Sequence, residues 1–330
     1  MSNISDVAKK AGLSVATVSR VINNHPYVSE EKRQAVYEAM AELSYQPSSA
    51  ARQMRGQSTK IIGVIVPRIT NPFFSYLVDE IQQIAFQNAF QIMIFQSNES
   101  SEKELSFLEL LAKKQIDGII MCAVEQDQEV IQEFTKYGPI VLCNERFDND
   151  QLPTVSLDQV NGAYLGVNYL LEQGYEKIAY ATGGQFEEAG KDRDRNKGFN
   201  QAMADAKVPI KSEWLFVNCH TISDGRKIAR EISKMSDVPE AIFTGSDEVA
   251  AGVIVEAQKL GIKVPLELAV LGFDDQPLAE LTTPAITTIR QPIQTLGKET
   301  FNLMLSLLQE RPYQIDGTKL QMSLVIRESA

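Results

Sequence analysis

ISDVAKKAGLSVATVSR, residues Ile4 to Arg20, carries the marks of two short helices joined by a tight turn. Asn3 stands at the N-cap position of the first, and Asp6 lies in its opening turn, where a carboxylate suits the positive end of the helix dipole. Val7, Ala8 and Ala11 share one face, and Gly12 can end the helix in the left-handed conformation that a sharp turn needs. Ser14 then caps a second helix almost at once. That spacing is the one found in a helix-turn-helix, whose second helix lies in the DNA major groove. Val18, Val21 and Ile22 form its inward face, leaving Val15, Ala16, Thr17, Ser19, Arg20 and Asn23 outward. Val15 and Ala16 can touch thymine methyls, Arg20 can bond guanine O6 and N7, and the hydroxyls can hold phosphates. A third helix, EEKRQAVYEAMAEL, is expected after a Ser29 cap, with Ala35, Val36, Ala39, Met40 and Leu43 as its buried stripe. Taken alone, the same segment is also an ordinary small three-helix bundle.

The next segment, Pro47 to Gly56, reads as a helix of barely two turns, with Pro near its start and Gly at its end. So short a helix is marginal alone in water. It includes Ala51, carries Arg52 and Arg55, and exposes one large apolar side chain, Met54. By itself it reads as a charged linker; after a helix-turn-helix it suits the minor groove, where an apolar wedge can enter between base steps. Charge agrees: up to residue 60 there are eight basic and five acidic residues, a net +3, which leaves −14 for the rest of a chain whose total is −11. A basic head on an acidic body puts the phosphate-binding surface at the N-terminus.

From Ile61 the pattern becomes strand and helix in alternation: IIGVIV, LVDEIQQIAFQNA, QIMIFQ, KELSFLELLAKK, DGIIMC and PIVLCN, then a second series through KIAYAT to ELAVLGF. Such alternation implies parallel sheets wrapped by helices, and two series of similar length imply two Rossmann-like subdomains. In open sheets of this kind ligands sit beyond the carboxyl ends of the strands. The residues expected there are Asn71 to Phe74, Asn144, Arg195, His220, Ser246, Asp247, Asp274 and Asp275. Carboxylate, guanidinium, amide and aromatic rings together suit sugars, whose hydroxyls donate and accept while their ring faces are apolar. Several have structural alternatives: Asn71 before Pro72 makes a turn, Ser246 caps a helix, Asp247 suits a helix dipole, and one of Phe73 and Phe74 belongs to the core.

The motifs DVAKKAGLSVATVSRVIN, AELSYQPSSAARQM and IIGVIVPRITNPFF resemble the pattern of the LacI/GalR family of bacterial transcription regulators, and the match continues to the C-terminus. The resemblance implies that Val15 and Ala16 select the operator, that Arg20 is the recognition-helix arginine, and that Met54 stands where the minor-groove wedge is usually Leu. It implies a periplasmic-binding-protein-like body that the chain crosses three times, near Leu157, Ile289 and Lys319. It places effector contacts on Asp274, Arg195 and Ser246, where many members have Asn in place of Ser246, and matches Phe73, Asn144, His220 and Gln291 to further contact positions.

Catalysis finds little to work with. The chain has two histidines, His25 and His220, and adjacent Asp274 and Asp275 should point apart rather than cooperate. Gly183 and Gly184 lack the rest of a phosphate loop. Cys122, Cys143 and Cys219 have no metal-type spacing, so neither metal nor cofactor is expected, and isolated thiols fit a reducing cytoplasm. No apolar run suggests secretion or a membrane. The expectation is therefore an all-α helix-turn-helix head at 1–46, a hinge helix and linker at 47–60, and an α/β body at 61–330. Its subdomains would be about 61–157 with 290–319, and 158–289 with 320–330. The function expected is a cytoplasmic repressor binding operator DNA as a homodimer, without a tetramer tail after SLVIRESA, and controlled by a small sugar. A co-repressed regulator and a sugar-binding receptor are the alternatives.

Overall fold

The computed structural model describes residues 2–22, 25–45, 58–147, 151–187 and 192–330. Local signals build the head. Helix α1 (Ile4–Ala11) starts in a full capping box: the Asn3 side chain accepts from the Ser5 and Asp6 amides, and the Asp6 carboxylate accepts from the Asn3 amide. Gly12 closes α1 at φ 65°, its N–H bonded to the Ala8 and Lys9 carbonyls. Helix α2 (Val15–Ile22) follows, with Ser14 Oγ accepting from Thr17 N at 3.2 Å. Helix α3 (Glu30–Glu42) completes the bundle around buried Val7, Ala8, Val18, Val21, Val36 and Ala39. Ser29 does stand at the N-cap of α3, but its hydroxyl makes no capping bond, which leaves Glu30 and Glu31 to complement that helix end.

The first sheet of the body holds β1 (Ile61–Val66), β2 (Gln91–Gln96), β3 (Gly118–Met121), β4 (Ile140–Cys143) and β5 (Thr154–Val155), in the order β2-β1-β3-β4-β5 and all parallel. Helices α4 (Pro72–Gln87), α5 (Ser101–Ala112) and α6 (Gln128–Phe134) make the crossovers. The chain then enters the second sheet through α7 (Gln159–Glu172). That sheet holds β6 (Ile178–Ala181), β7 (Leu215–Phe216), β8 (Ala241–Thr244), β9 (Ala269–Asp274), β10 (Thr287–Arg290) and β11 (Ser323–Val325), in the order β11-β10-β9-β8-β6-β7. Helices α8 (Arg193–Asp205), α9 (Ile222–Ile232), α10 (Asp247–Leu260) and the single turn α11 (Leu278–Leu281) belong to it. After β10 the chain returns to the first sheet as α12 (Ile293–Leu308), which lies against α4 and β4, then comes back to add β11. This last strand runs antiparallel to β10, a departure from the purely parallel sheet that the alternation implies. It arrives by a return from the other subdomain instead of a helical crossover, and so is free of the constraint that makes crossover-linked neighbours parallel.

Up to β5 and β10 the two sheets repeat one strand order, 2-1-3-4-5 in each sheet's own numbering. Connections leave its first strand toward one edge and its third toward the other, so the carboxyl ends of β1 and β3, and of β6 and β8, flank a crevice. Tight helix packing supports this frame. At Gly252 an added Cβ would lie 2.2 Å from the Ile222 carbonyl oxygen, so α9 and α10 touch backbone to backbone. Among the described residues no helix is long and apolar enough to cross a membrane.

Candidate effector cleft and nucleic-acid interface

On the head, burial divides α2 as its periodicity requires. Val18 and Val21 are fully buried, whereas Val15 is 43 % exposed and Ala16 and Arg20 are open to solvent. Thr17 and Ser19 are half-buried, and the Thr17 hydroxyl lies 2.9 Å from that of Ser14 at the helix start. Asn23, Ala51, Met54 and Arg55 lie outside the described residues.

In the body, a cavity of about 460 Å³ opens where the carboxyl ends of the two sheets face each other. The first sheet contributes Asn71, Phe73 and Phe74 after β1, Cys122 to Gln126 after β3, and Asn144 to Phe147 after β4. The second contributes Gly183, Asp192 to Arg195, His220, Gly245, Ser246 and Asp274. Gly183 is needed here because a Cβ would come within 2.9 Å of the His220 ring.

The polar floor of the cavity is one connected network. Gln159, at the start of α7, donates from Nε2 to Asn144 Oδ1 and to Gln291 Oε1, both at 3.0 Å, and accepts from Arg195 Nε at 3.0 Å. Gln291 Nε2 donates to Asp274 Oδ1 at 2.6 Å, and Gln276 Nε2 to Asp274 Oδ2 at 2.8 Å. Arg195 also donates to the Gly245 carbonyl at 2.8 Å and lies 4.6 Å from the centre of the Phe273 ring. Its carboxylate neighbour Asp192 accepts from Thr182 Oγ1, Gly183 N and Gly184 N at 3.1, 2.8 and 3.0 Å. Across the mouth, Arg146 of the first subdomain meets Asp194 of the second at 2.9 Å.

Electrostatics follow from burial and these partners. Burial pushes the Asp192 carboxyl up, but Arg195, Thr182 and the two glycine amides together outweigh it and hold the group below its ordinary value. Burial disfavours the charge on Arg195 as well, and Asp192 and Asp274 more than restore it. For Asp274 burial wins: despite Arg195, Gln291 and Gln276, its pKa is raised to about 7. Asp247 lies beneath it, fully buried, hydrogen-bonded to Thr288 Oγ1 at 2.6 Å and to Gln276 N at 2.7 Å. Burial and then the charge of Asp274 push that carboxyl well up. The backbone at Asp274 and Asp275 has φ of 108° and 56°, sparsely populated values for residues with a Cβ. It turns Asp274 into the cleft and Asp275 away, onto Arg290 and Arg327 at 2.6 and 2.7 Å.

Comparison with known proteins gives the same two parts. Residues 3–48 match the bacterial regulatory proteins of the lacI family, and residues 59–328 match the periplasmic binding proteins and sugar binding domain of the LacI family. The chain belongs to the LacI family. One relative is the NTD biosynthesis operon regulator NtdR of Bacillus subtilis (strain 168), 40 % identical over 331 residues and matched over 100 % of both chains. Among solved structures, a LacI family transcriptional regulator from Lactobacillus casei with bound sucrose has 31 % identity and a TM-score of 0.77, covering 82 % of this chain and 99 % of that one. The lac repressor dimer bound to operator and the anti-inducer ONPF has 25 % identity and a TM-score of 0.85, covering 99 % of this chain and 98 % of that one.

Within this LacI-family body, Phe73, Asn144, Arg195, His220, Ser246 and Asp274 all lie on one cavity wall or another. Gln291 does not: it is 4 % exposed, and its amide is taken up by Asp274 and Gln159, so it supports the wall from behind. Arg195 sits in the first turn of α8, where the helix start rather than a strand end aims it at the cleft. Phe73 is 5 % exposed and joins the core, edge-to-face with the more open Phe74 at 5.1 Å, so Phe74 offers the larger ring surface. Ser246 caps α10, accepting from Val249 N at 3.3 Å, and a hydroxyl in that role still has its own hydrogen to give. Gln159 and Asp192 were not singled out from sequence. The one local signal available for Gln159 is its place at the first position of α7.

Proposed function

We propose that the chain is a transcriptional repressor whose hold on its operator is set by a small sugar or sugar-like effector bound in the cleft. The observation that carries this is the convergence of Arg195, Asp274, Asn144, Ser246, His220 and an aromatic pair on one cavity of about 460 Å³ between the two sheets, in a chain that begins with a helix-turn-helix. Asp274 and Arg195 bond neighbouring hydroxyls, Phe73 and Phe74 cover an apolar ring face, and Ser246 donates. Val15, Ala16 and Arg20 read base edges, Thr17, Ser19 and Asn23 contact the duplex beside them, and Ala51, Met54 and Arg55 of the hinge face the minor groove. The divisions proposed from sequence, head to residue 46, hinge to 60 and a body crossed three times, give each part its task.

Two heads are needed, because one recognition helix reads only a few base pairs, and a homodimer on a near-palindromic site supplies them. Effector binding draws the two sheets together and shifts the surface beneath the hinge, lowering operator affinity by population shift. The protein performs no reaction on the effector and acts in the cytoplasm. Binding of a duplex selected from random-sequence DNA, titrated with a panel of mono- and disaccharides, tests the proposal. One sugar should weaken binding. A sugar that instead strengthens it makes the protein co-repressed, and a panel with no effect on binding refutes sugar control.

A further inference from the structure

Where the chain enters the body, three consecutive residues are tied to one carboxylate. Asp117, which directly precedes β3, accepts from Thr59 N and Thr59 Oγ1 on Oδ1, each at 2.8 Å. On Oδ2 it accepts from Lys60 N at 2.8 Å and from Ser58 Oγ. Each oxygen thus takes two donors, the full capacity of an ionised carboxylate, and such charge-assisted bonds are stronger than neutral ones. The segment is braced on its other side too. Lys60 adopts φ 59°, its carbonyl accepts from Gln91 N at 2.8 Å, and its ammonium lies 4.4 Å from the centre of the Phe90 ring.

Strand pairing does not account for this clamp, because β1 begins only at Ile61 and Ser58 and Lys60 are exposed. Nor does the effector cleft, which lies at the carboxyl end of β3 while Asp117 lies at its amino end. What residues 58–60 do is join the segment from the head to the first sheet. We infer that Asp117 is a positioning residue that fixes this junction, so that displacement of the first sheet reaches the DNA-binding head. The inference rests on the proposed operator binding. Without the clamp, residues 58–60 absorb part of any displacement and hold the two heads less firmly in register. Specific DNA affinity then falls, whereas charge-driven affinity for any duplex does not.

The test uses the full chain as Asp117→Asn, Asp117→Ala, and a double variant, Ser58→Ala with Thr59→Val, which removes two donors and leaves Asp117 in place. The probes are a duplex selected from random-sequence DNA with the wild-type chain and a scrambled duplex of equal composition. Hydrogen exchange of the Thr59 and Lys60 amides is followed beside them. In Asp117→Ala both amides, and in Asp117→Asn the one that loses its oxygen, should exchange about tenfold faster or more, while those of β1 and β3 stay protected; affinity for the selected duplex should fall about tenfold in Asp117→Ala and in the same direction in Asp117→Asn, with the scrambled duplex unaffected. The double variant should lose about threefold on the selected duplex alone, and it decides the matter if an Asp117 variant fails to fold. Unchanged exchange at residues 59 and 60, wild-type affinity for the selected duplex, or equal loss on both duplexes overturns the inference. A wild-type chain that cannot distinguish the duplexes sinks operator binding instead, and the exchange arm still decides whether Asp117 holds the junction.

Discussion

Asp274→Asn should leave the protein more stable at pH 8 and much less responsive to its effector. The wild-type carboxyl is 5 % exposed, and burial raises its pKa from 3.8 to about 7 against the opposing pull of Arg195, Gln291 and Gln276. Between those pH values the folded chain holds the proton more tightly than the unfolded chain does. The group therefore adds stability that is complete below about pH 4 and is lost as pH rises through about 7. At 1.36 kcal/mol per pH unit the ionised group costs the fold on the order of 4 kcal/mol at pH 8. Asparagine avoids that cost. Its amide also has an acceptor within reach, because Gln276 Oε1 is buried without a partner and turning that side chain over presents it, while Gln291 still donates to the remaining oxygen. At pH 8 the variant should melt roughly 5 to 10 °C above wild type, and the gap should shrink to less than half of that at pH 5, closing only below about pH 4. Effector affinity should fall about ten- to a hundredfold, the loss of charge-assisted bonds to hydroxyls. Thermal unfolding at both pH values, beside calorimetric titration with the sugar found by the panel, measures all of this. A variant less stable than wild type at pH 8 would show that the charge holds the fold together through Arg195, and the assignment of Asp274 to the effector would fall with it.

Three further outcomes are expected. Arg20→Ala should cost about 1 to 3 kcal/mol of operator binding and relax preference at one base pair per half-site, read by competition among single-base variants; uniform weakening across all of them would place Arg20 on phosphate instead. Gly252→Ala forces a methyl group to within 2.2 Å of the Ile222 carbonyl oxygen, so α9 and α10 must part, at about 1 to 3 kcal/mol in urea unfolding; an unmoved midpoint would mean that the helices do not touch there. Gln159→Leu keeps the volume but strips partners from Arg195 Nε, Asn144 Oδ1 and Gln291 Oε1. Effector affinity should drop about tenfold or more with effector-free operator binding intact, and equal effector affinity would dismiss the network as incidental.

The parts of the molecule legible in its sequence are those written in short-range signals. The capping box at Asn3 and Asp6, the left-handed turn at Gly12 and the alternation of apolar strands with helices each need only a few neighbouring residues. Placing ligand contacts beyond strand ends needs only the fold class, and Asn71, Phe73, Phe74, Asn144, Arg195, His220, Ser246 and Asp274 do line the cleft, as a minority of its wall. What it misplaced depends on distant partners. Gln291 looks like a strand-end amide until Asp274 and Gln159, 17 and 132 residues away, are seen to use it. Gln159 is an unremarked polar residue near a helix start until Asn144, Gln291 and Arg195 converge on it, and no periodicity encodes such a meeting. Asp117 is hidden for the same reason, since its donors lie 57 to 59 residues earlier.

Strand β3 links the clamp and the cleft. It runs from Gly118 to Met121, immediately after Asp117 and immediately before Cys122, where the cleft wall begins. All four of its residues are buried, and it pairs with β1 on one side and β4 on the other, so it cannot bend or slide independently of the sheet. At about 3.3 Å per residue, roughly 13 Å of rigid backbone separates the junction with the head from the effector wall. A rigid displacement of the first sheet would therefore carry Asp117 with it, without a chain of switching side chains between them. On the proposed reading, the four hydrogen bonds on the Asp117 carboxylate stiffen residues 58–60, where this sheet is joined to the segment from the head.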